Sequence, residues 1–257
     1  MPELSHMKHG VPQGSILGPL LFVLFINDLP FHITSPKVKI DLYADDTTIS
    51  FSTSINEFKK QKETLNAVMK DLELWTLSNK LPINETKSKT LLVTGKRLSN
   101  KLPKDKLSVS TMNGKVLESV NSVRLLGLDV DNELNFSNHA ERMYNKISSR
   151  IGILNKIKAC LPKKQRILYF NAMVKPLFSY AGAIWQTLSS KDCLTRFLRL
   201  QKRAARLILN AEPMAPSVPL FNQLSWLPFY LETHISMCSL LFKRLQLAVP
   251  EYLLESL

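Results

Sequence analysis

Residues 41–49 read Asp-Leu-Tyr-Ala-Asp-Asp-Thr-Thr-Ile, which sets two adjacent carboxylates, Asp45 and Asp46, between apolar and β-branched flanks. A tight turn between two strands would present both acids to one pocket. Oxygen-only ligands suit hard divalent cations such as Mg²⁺, and a pair of such cations roughly 3.5–4 Å apart supports in-line nucleotidyl transfer. Two aspartates in a turn also serve as plain solvated turn formers, so the pair needs further motifs to mean catalysis. Upstream, residues 10–19 read Gly-Val-Pro-Gln-Gly-Ser-Ile-Leu-Gly-Pro, and three glycines with two prolines make this a loop. Lacking Cβ atoms, its glycines allow a ligand close to the backbone.

The elements that must position these residues follow from periodicity. Residues 38–43 and 47–51 are rich in β-branched and aromatic side chains, so Ala44, Asp45 and Asp46 lie between two strands of a hairpin. Residues 20–29 predict a buried helix. Ser54-Ile55-Asn56-Glu57 fits a capping box, and Phe58, Leu65, Val68, Leu72 and Trp75 give the next segment a helical apolar face ending near Asn79. Short strands are expected over 91–93, 107–109, 116–117 and 123–130, with a tight turn at Asn113-Gly114. Beyond Phe136 the pattern changes. Ala140, Met143, Tyr144, Ile147, Ile151, Leu154, Ile157 and Leu161 recur at three and four, which predicts one long amphipathic helix over 137–161. Pro162 stands where another helix would begin, Pro176 should kink or break it, and residues 191–210 and 231–247 supply two more. The expected fold class is α+β, an α+β part followed by an all-helical part, with the boundary near residue 136.

Composition bounds the function classes. At 257 residues, with 45% hydrophobic and 21% charged, the chain has the make-up of a globular protein of one large or two small domains. Its longest apolar run, residues 16–26, is shorter than the ~20 residues of a membrane span, and no basic-then-apolar leader opens the sequence. An intracellular setting, nucleus or cytoplasm, without secretion or a membrane is therefore expected. Cys160, Cys193 and Cys238 are odd in number and widely spaced, which reads as reduced core thiols. The histidines form no ligand-spaced set with cysteine, so no zinc site is expected.

Charge is concentrated rather than spread. Residues 137–211 hold 15 of the 34 Lys and Arg but only two of the 21 acids, Glu141 and Asp192, which accounts for the whole net charge of +13. Such a segment attracts phosphate backbones, although an acidic protein or anionic lipid has the same sign. Within it, Arg196, Arg199, Arg203 and Arg206 are spaced three, four and three, sharing one helix face opposite Leu194, Phe197, Leu198 and Ile208. That face is a nucleic-acid-binding candidate, with a solvated helix face as the alternative.

Taken in order, the motifs resemble a known family. The loop 10–22, then Ile26-Asn27-Asp28-Leu29-Pro30 and Tyr43-Ala44-Asp45-Asp46, looks like the core of reverse transcriptases from non-LTR (LINE-type, jockey-like) retrotransposons. Trp75 leading to Asn84-Glu85-Thr86-Lys87-Ser88 is similar to the family's Asn-x-x-Lys-Thr motif. Leu125-Leu126-Gly127-Leu128 resembles its aromatic-Leu-Gly primer grip, with Leu125 at the aromatic position. Leu200-Gln201-Lys202-Arg203-Ala204-Ala205-Arg206 and Trp226-Leu227-Pro228 resemble its helical carboxy-terminal region.

The resemblance implies a partial palm over 1–98, a small β segment over 99–136 and a basic helical thumb with trailing helices over 137–257. It implies Asp45 and Asp46 as ligands of Mg²⁺ or Mn²⁺, Asp45 the firmer, with Lys87 near the triphosphate as general acid. Gln13, Gly14 and Ser15 would approach nucleotide and template; Tyr43, Ala44, Leu126 and Gly127 the primer. The activity implied is RNA-directed DNA polymerisation from deoxynucleotide triphosphates on a DNA primer and RNA template. The family has another palm aspartate upstream of the Pro-Gln-Gly loop, and no residue before Gly10 fits it, so the chain alone is expected to be nearly inactive. A catalytically inactive nucleic-acid-binding remnant is the alternative, and protein–protein interaction through the basic helices a third.

Overall fold

Alternating β-branched and aromatic residues before and after Ala44-Asp45 set up the first element, an antiparallel hairpin. β1 (Lys39–Tyr43) pairs with β2 (Asp46–Ser50) from Lys39 opposite Ser50 to Tyr43 opposite Asp46. Opposite residues share a face. Ile40, Leu42 and Ile49 therefore turn to the core, while Asp41, Tyr43 and Asp46 lie on the outer face. The computed structural model describes residues 14–33, 38–94 and 115–247, with Ser35 and Val109. Gln13, the expected strand over 107–108 and the Asn113-Gly114 turn lie outside the described residues.

The chain divides into two units, residues 1–121 and 122–257. In the first unit α1 (Gly18–Ile26) and α2 (Leu29–His32) precede β1, and α3 (Phe58–Ser78) follows β2. Phe58, Leu65, Val68, Leu72 and Trp75 are all buried, as their spacing predicts. They pack with Ile26, Leu29 and Ile33. The capping box does not form. A 3₁₀ turn over Ile55–Glu57 precedes α3, so Ser54 is displaced from the helix start and its side chain makes no capping bond. At the other end Asn79 Nδ2 donates to the Trp75 carbonyl at 2.9 Å.

The predicted buried helix over 20–29 also changes. α1 stops at Ile26, and Leu20, Leu21, Val23, Leu24 and Phe25 remain exposed. An all-apolar run has no amphipathic face, so only one side meets the core, at Phe22 and Ile26. A separate two-stranded sheet in the first unit is parallel. β3 (Lys89–Leu91) and β4 (Glu118–Val120) pair in parallel, which the long connection between them permits.

The expected strand over 123–130 is a hairpin of the second unit. β5 (Ser122–Leu125) and β6 (Leu128–Asp131) pair around Leu126-Gly127, whose φ values of +46° and +82° reverse the chain. This places the division at residue 121 rather than near 136, because β6 packs on α4 (Ser137–Ile157). Ile147, Ile151 and Leu154 on α4 are fully buried in the second core.

After α4 come α5 (Lys163–Tyr169), a π-helical segment over Phe170–Val174, and α6 (Lys175–Ser179). Pro176 lacks an N–H and crowds the carbonyl one turn back, and the helix accommodates it by widening instead of ending. Two short helices escaped the sequence reading, α7 (Gly182–Leu188) and α9 (Ser217–Leu224). They flank α8 (Lys191–Leu209), which starts where Ser190 Oγ accepts from the Cys193 N–H and ends at left-handed Asn210. α10 (Phe229–Leu247) closes the described chain. Gly182 lets α7 meet it: a Cβ there would lie 2.8 Å from Gln186 Nε2 and 3.1 Å from Thr233 Oγ1.

Of the three cysteines, Cys193 alone packs against the core. Cys160 and Cys238 are exposed and Cys193 is half-buried, all three unpaired. Among the described residues no helix is long and apolar enough to cross a membrane.

Candidate active site and nucleic-acid interface

Tyr43, Ala44, Asp45 and Asp46 come together at the tip of the β1–β2 hairpin. Ala44 takes φ +50°, which closes a two-residue turn and lifts Asp45 clear of the ladder. Both carboxylates are exposed and neither has a hydrogen-bond or ion-pair partner among the described residues. Nearby Asp41 is already engaged, 3.6 Å from Lys39 Nζ. Among the described residues no three His, Cys, Asp or Glu side chains gather as a complete metal-holding set. Two free carboxylates suit Mg²⁺ as oxygen donors, but they leave most of its octahedral positions to water, phosphate or other ligands.

The Asn84 motif has a geometric explanation. Asn84 Oδ1 accepts from the Lys87 N–H at 3.2 Å and from Thr86 Oγ1 at 2.7 Å, folding residues 84–87 into a turn that presents Lys87 to solvent. The Ile-Asn-Asp-Leu-Pro motif is structural: Trp75 Nε1 donates to Asp28 Oδ1 at 3.2 Å, tying the α1–α2 corner to α3. Gly14 takes φ +83° with open space around it. Ser15 Oγ accepts from the Gly18 N–H at 3.0 Å, so this hydroxyl is used at the start of α1.

In the second unit the arginines of α8 divide. Arg196 is held by Glu141, with Nη1 3.0 Å from Oε2, and its guanidinium lies 4.3 Å over the Tyr144 ring. The hydrogen bonds to Glu141 push its pKa up. That ion pair engages the Arg196 guanidinium, which by spacing shares a face with Arg199, Arg203 and Arg206. Arg206 Nε donates to the Ala215 carbonyl at 3.1 Å. Arg199 and Arg203 are exposed without a partner among the described residues. On the opposite face Gln201 bridges to the Trp226-Leu227-Pro228 loop, donating to the Leu227 carbonyl at 2.9 Å and accepting from the Phe229 N–H at 3.0 Å. Both motifs of the carboxy-terminal resemblance thus meet through one side chain.

Leu126 and Gly127 form the β5–β6 turn, and the ladder beneath is fastened by charges that spacing did not reveal. Arg124 Nε donates to Asp129 Oδ1 at 2.9 Å, and Arg142 Nε to Oδ2. Burial alone would raise the Asp129 carboxyl, but these two guanidinium groups outweigh it and hold it below 3.8. His139, almost fully buried, accepts at Nδ1 from the Asp129 N–H at 3.3 Å. Burial, with Arg142 beside it, pushes its pKa below 6.5, against the smaller upward pull of Asp129. The ring is therefore neutral at pH 7.

A lowered folded pKa means that the unfolded chain binds more protons between the two values, so stability is lost as pH falls. The His139 contribution is complete above pH 6.5 and declines below it, whereas that of Asp129 declines only below 3.8. The melting temperature of the second unit is expected to fall between pH 6.5 and 5, and His139→Gln to flatten that slope. Thermal denaturation followed by circular dichroism across this range checks it; an unchanged slope in the variant would count against a neutral buried His139.

Comparison with known proteins adds the last evidence. A family model described as "Reverse transcriptase (RNA-dependent DNA polymerase)" matches residues 3–130. The chain is 30% identical over 211 residues to the probable RNA-directed DNA polymerase from transposon BS of Drosophila melanogaster, covering 79% of this chain and 22% of that protein. It is 26% identical over 218 residues to the RNA-directed DNA polymerase from mobile element jockey of Drosophila funebris, covering 81% and 23%. A third similarity, 25% over 214 residues, is to the probable RNA-directed DNA polymerase from transposon X-element of Drosophila melanogaster, covering 79% and 22%. The chain spans less than a quarter of the length of these relatives. No solved structure matches it. On these similarities, the chain belongs to the reverse transcriptase (RNA-dependent DNA polymerase) family of non-LTR retrotransposons.

Proposed function

We propose that this chain supplies the carboxylate-bearing hairpin, the primer-contacting turn and the duplex-binding helices of an RNA-directed DNA polymerase. The observation that carries this reading is the β1–β2 tip, where two exposed carboxylates have no partner among the described residues. In the reaction the 3′-hydroxyl oxygen of a DNA primer bonds to the α-phosphorus of a deoxynucleotide triphosphate, and its proton passes to solvent. The bond from the α-phosphorus to the bridging oxygen breaks, and pyrophosphate leaves. Asp45 and Asp46 hold Mg²⁺ or Mn²⁺, Asp45 the more firmly; when bound, such cations lower the hydroxyl pKa and neutralise developing charge. Lys87 binds the triphosphate and hands a proton to the departing pyrophosphate. Gln13, Gly14 and Ser15 approach nucleotide and template through backbone atoms, and Tyr43 and Ala44 flank the primer end. The test is primer extension on an RNA template by a polymerase carrying these residues. Incorporation should require a divalent cation and cease with a chelator, and its absence under all cation conditions would overturn the reading.

A second reading, binding without catalysis, is favoured by Arg199 and Arg203, two exposed guanidinium groups on one face of α8 without a partner among the described residues. Each phosphate neutralised contributes about 0.9 to the slope of log affinity against log salt on duplex DNA. Replacing both arginines by Ala is expected to weaken duplex binding and to reduce that slope by about two. Fluorescence anisotropy between 50 and 200 mM salt would show it; an unaltered slope removes the helix from the interface.

A further inference from the structure

The Leu126-Gly127 turn is fastened from outside its own hairpin, at both carbonyls. The Tyr180 hydroxyl donates to the Leu126 carbonyl, and Arg142 Nη2 donates to the Gly127 carbonyl at 2.8 Å. The Tyr180 ring also lies flush with the turn, 3.6 Å from where a Cβ on Gly127 would sit.

Both donors are themselves immobilised. Tyr180 caps α6, its N–H donating to the Pro176 carbonyl at 2.9 Å, and its own carbonyl accepts from Nε1 of fully buried Trp185 at 3.1 Å. Ala181 follows at φ +49°, which turns the chain from α6 into α7 directly after Tyr180. Arg142 is gripped by Asp129 and lies 3.1 Å from His139 Nδ1. Leu125 and Leu126, by contrast, are exposed. The turn thus combines an accessible outer surface with a backbone whose carbonyls are held by two separate helices.

Such hydrogen bonds on a solvent-facing turn add little to global stability, because water replaces them at small net cost when they are lost. Their effect is on position. We propose that Tyr180 and Arg142 are positioning residues that hold the Leu126-Gly127 backbone at a fixed height and tilt for contact with the 3′ end of a primer strand. This rests on the reading of that turn as a primer contact. Tyr180→Phe removes one donor and keeps the ring against Gly127, so it releases the Leu126 carbonyl without opening a cavity. Arg142→Lys keeps a charge but loses the forked geometry that reaches Asp129 and Gly127 together.

The experiment compares the affinity of the full chain for a primer–template with a recessed 3′ end against a blunt duplex of the same length. The wild type is expected to prefer the recessed end. Tyr180→Phe is expected to cut that preference about fivefold, the scale of one hydrogen bond, while blunt-duplex affinity and melting temperature stay unchanged. Arg142→Lys should fall between the two. A wild type that shows no preference, or no binding, overturns the primer-contact reading itself. A wild-type preference that Tyr180→Phe leaves intact overturns the positioning role, as does a variant that melts lower and loses affinity for both duplexes equally.

Discussion

Asp45→Ala, placed in a full-length polymerase, is expected to lower templated primer extension about a thousandfold, the loss of ~4 kcal/mol of transition-state stabilisation. A carboxylate that holds a divalent cation acts on the charge developing between attacking and leaving oxygens, so its removal reduces the chemical step rather than nucleic-acid affinity. The geometry makes the experiment clean. Asp45 is at an exposed two-residue turn with no hydrogen-bond partner among the described residues, so Ala disturbs no packing and leaves the ladder intact. Single-turnover extension with pre-bound primer–template separates the steps: binding should change less than twofold. Asp46→Asn is expected to cost less, as the weaker ligand. Extension that proceeds at the wild-type rate in Asp45→Ala would remove the hairpin from the chemistry altogether.

The second large effect concerns folding. Asp131→Ala is expected to destabilise the second unit by about 3 kcal/mol, lowering its melting temperature by ~10 °C. Asp131 is buried at the end of β6, and its carboxylate accepts from three backbone N–H groups. The Glu133 and Asn135 N–H groups donate to Oδ1 at 3.0 Å each, and the Phe136 N–H donates to Oδ2 at 2.6 Å. These bonds hold a loop in which Leu134 and Phe136 both take φ +55°, a conformation costly for residues with a Cβ. The return is the burial of Phe136 at the start of α4. Ala leaves three donors unsatisfied and the positive-φ loop unsupported, and Asn restores part of the loss because one of its two terminal atoms is still an acceptor. Thermal melts of the three proteins test the order wild type, Asn, Ala; an Ala variant that melts with the wild type would show the carboxylate to be dispensable.

Much of the candidate site was legible locally. The Tyr43-Ala44-Asp45-Asp46 hairpin follows from β-branched runs on either side of Ala44-Asp45-Asp46, although Asp46 joins β2 and the turn takes only Ala44 and Asp45; the buried stripes of α3 and α4 follow from a period near 3.6. The Asn84 turn was legible as a motif, and its capping geometry supplies the reason for the spacing to Lys87. Other elements misled for identifiable reasons. Residues 123–130 look like one strand because all but Gly127 and Asp129 suit a strand, and a lone glycine was too weak a signal to place the reversal. α1 looks buried because it is apolar, yet apolarity without a polar face does not say which side meets a core.

The sequence by itself determined the family, the order of the motifs, the location of net positive charge and the registers of the main helices. All of these depend on residue type and short-range spacing, which the chain carries without folding. Only the tertiary structure decided which charges are free. Arg196 and Arg199 are equivalent by spacing, but Glu141, 55 residues before Arg196, takes one and leaves the other. It likewise brought Tyr180 to the Leu126 carbonyl across 54 residues, and three N–H groups to Asp131. Such partners are chosen by the packing of distant elements, and no local periodicity records that choice.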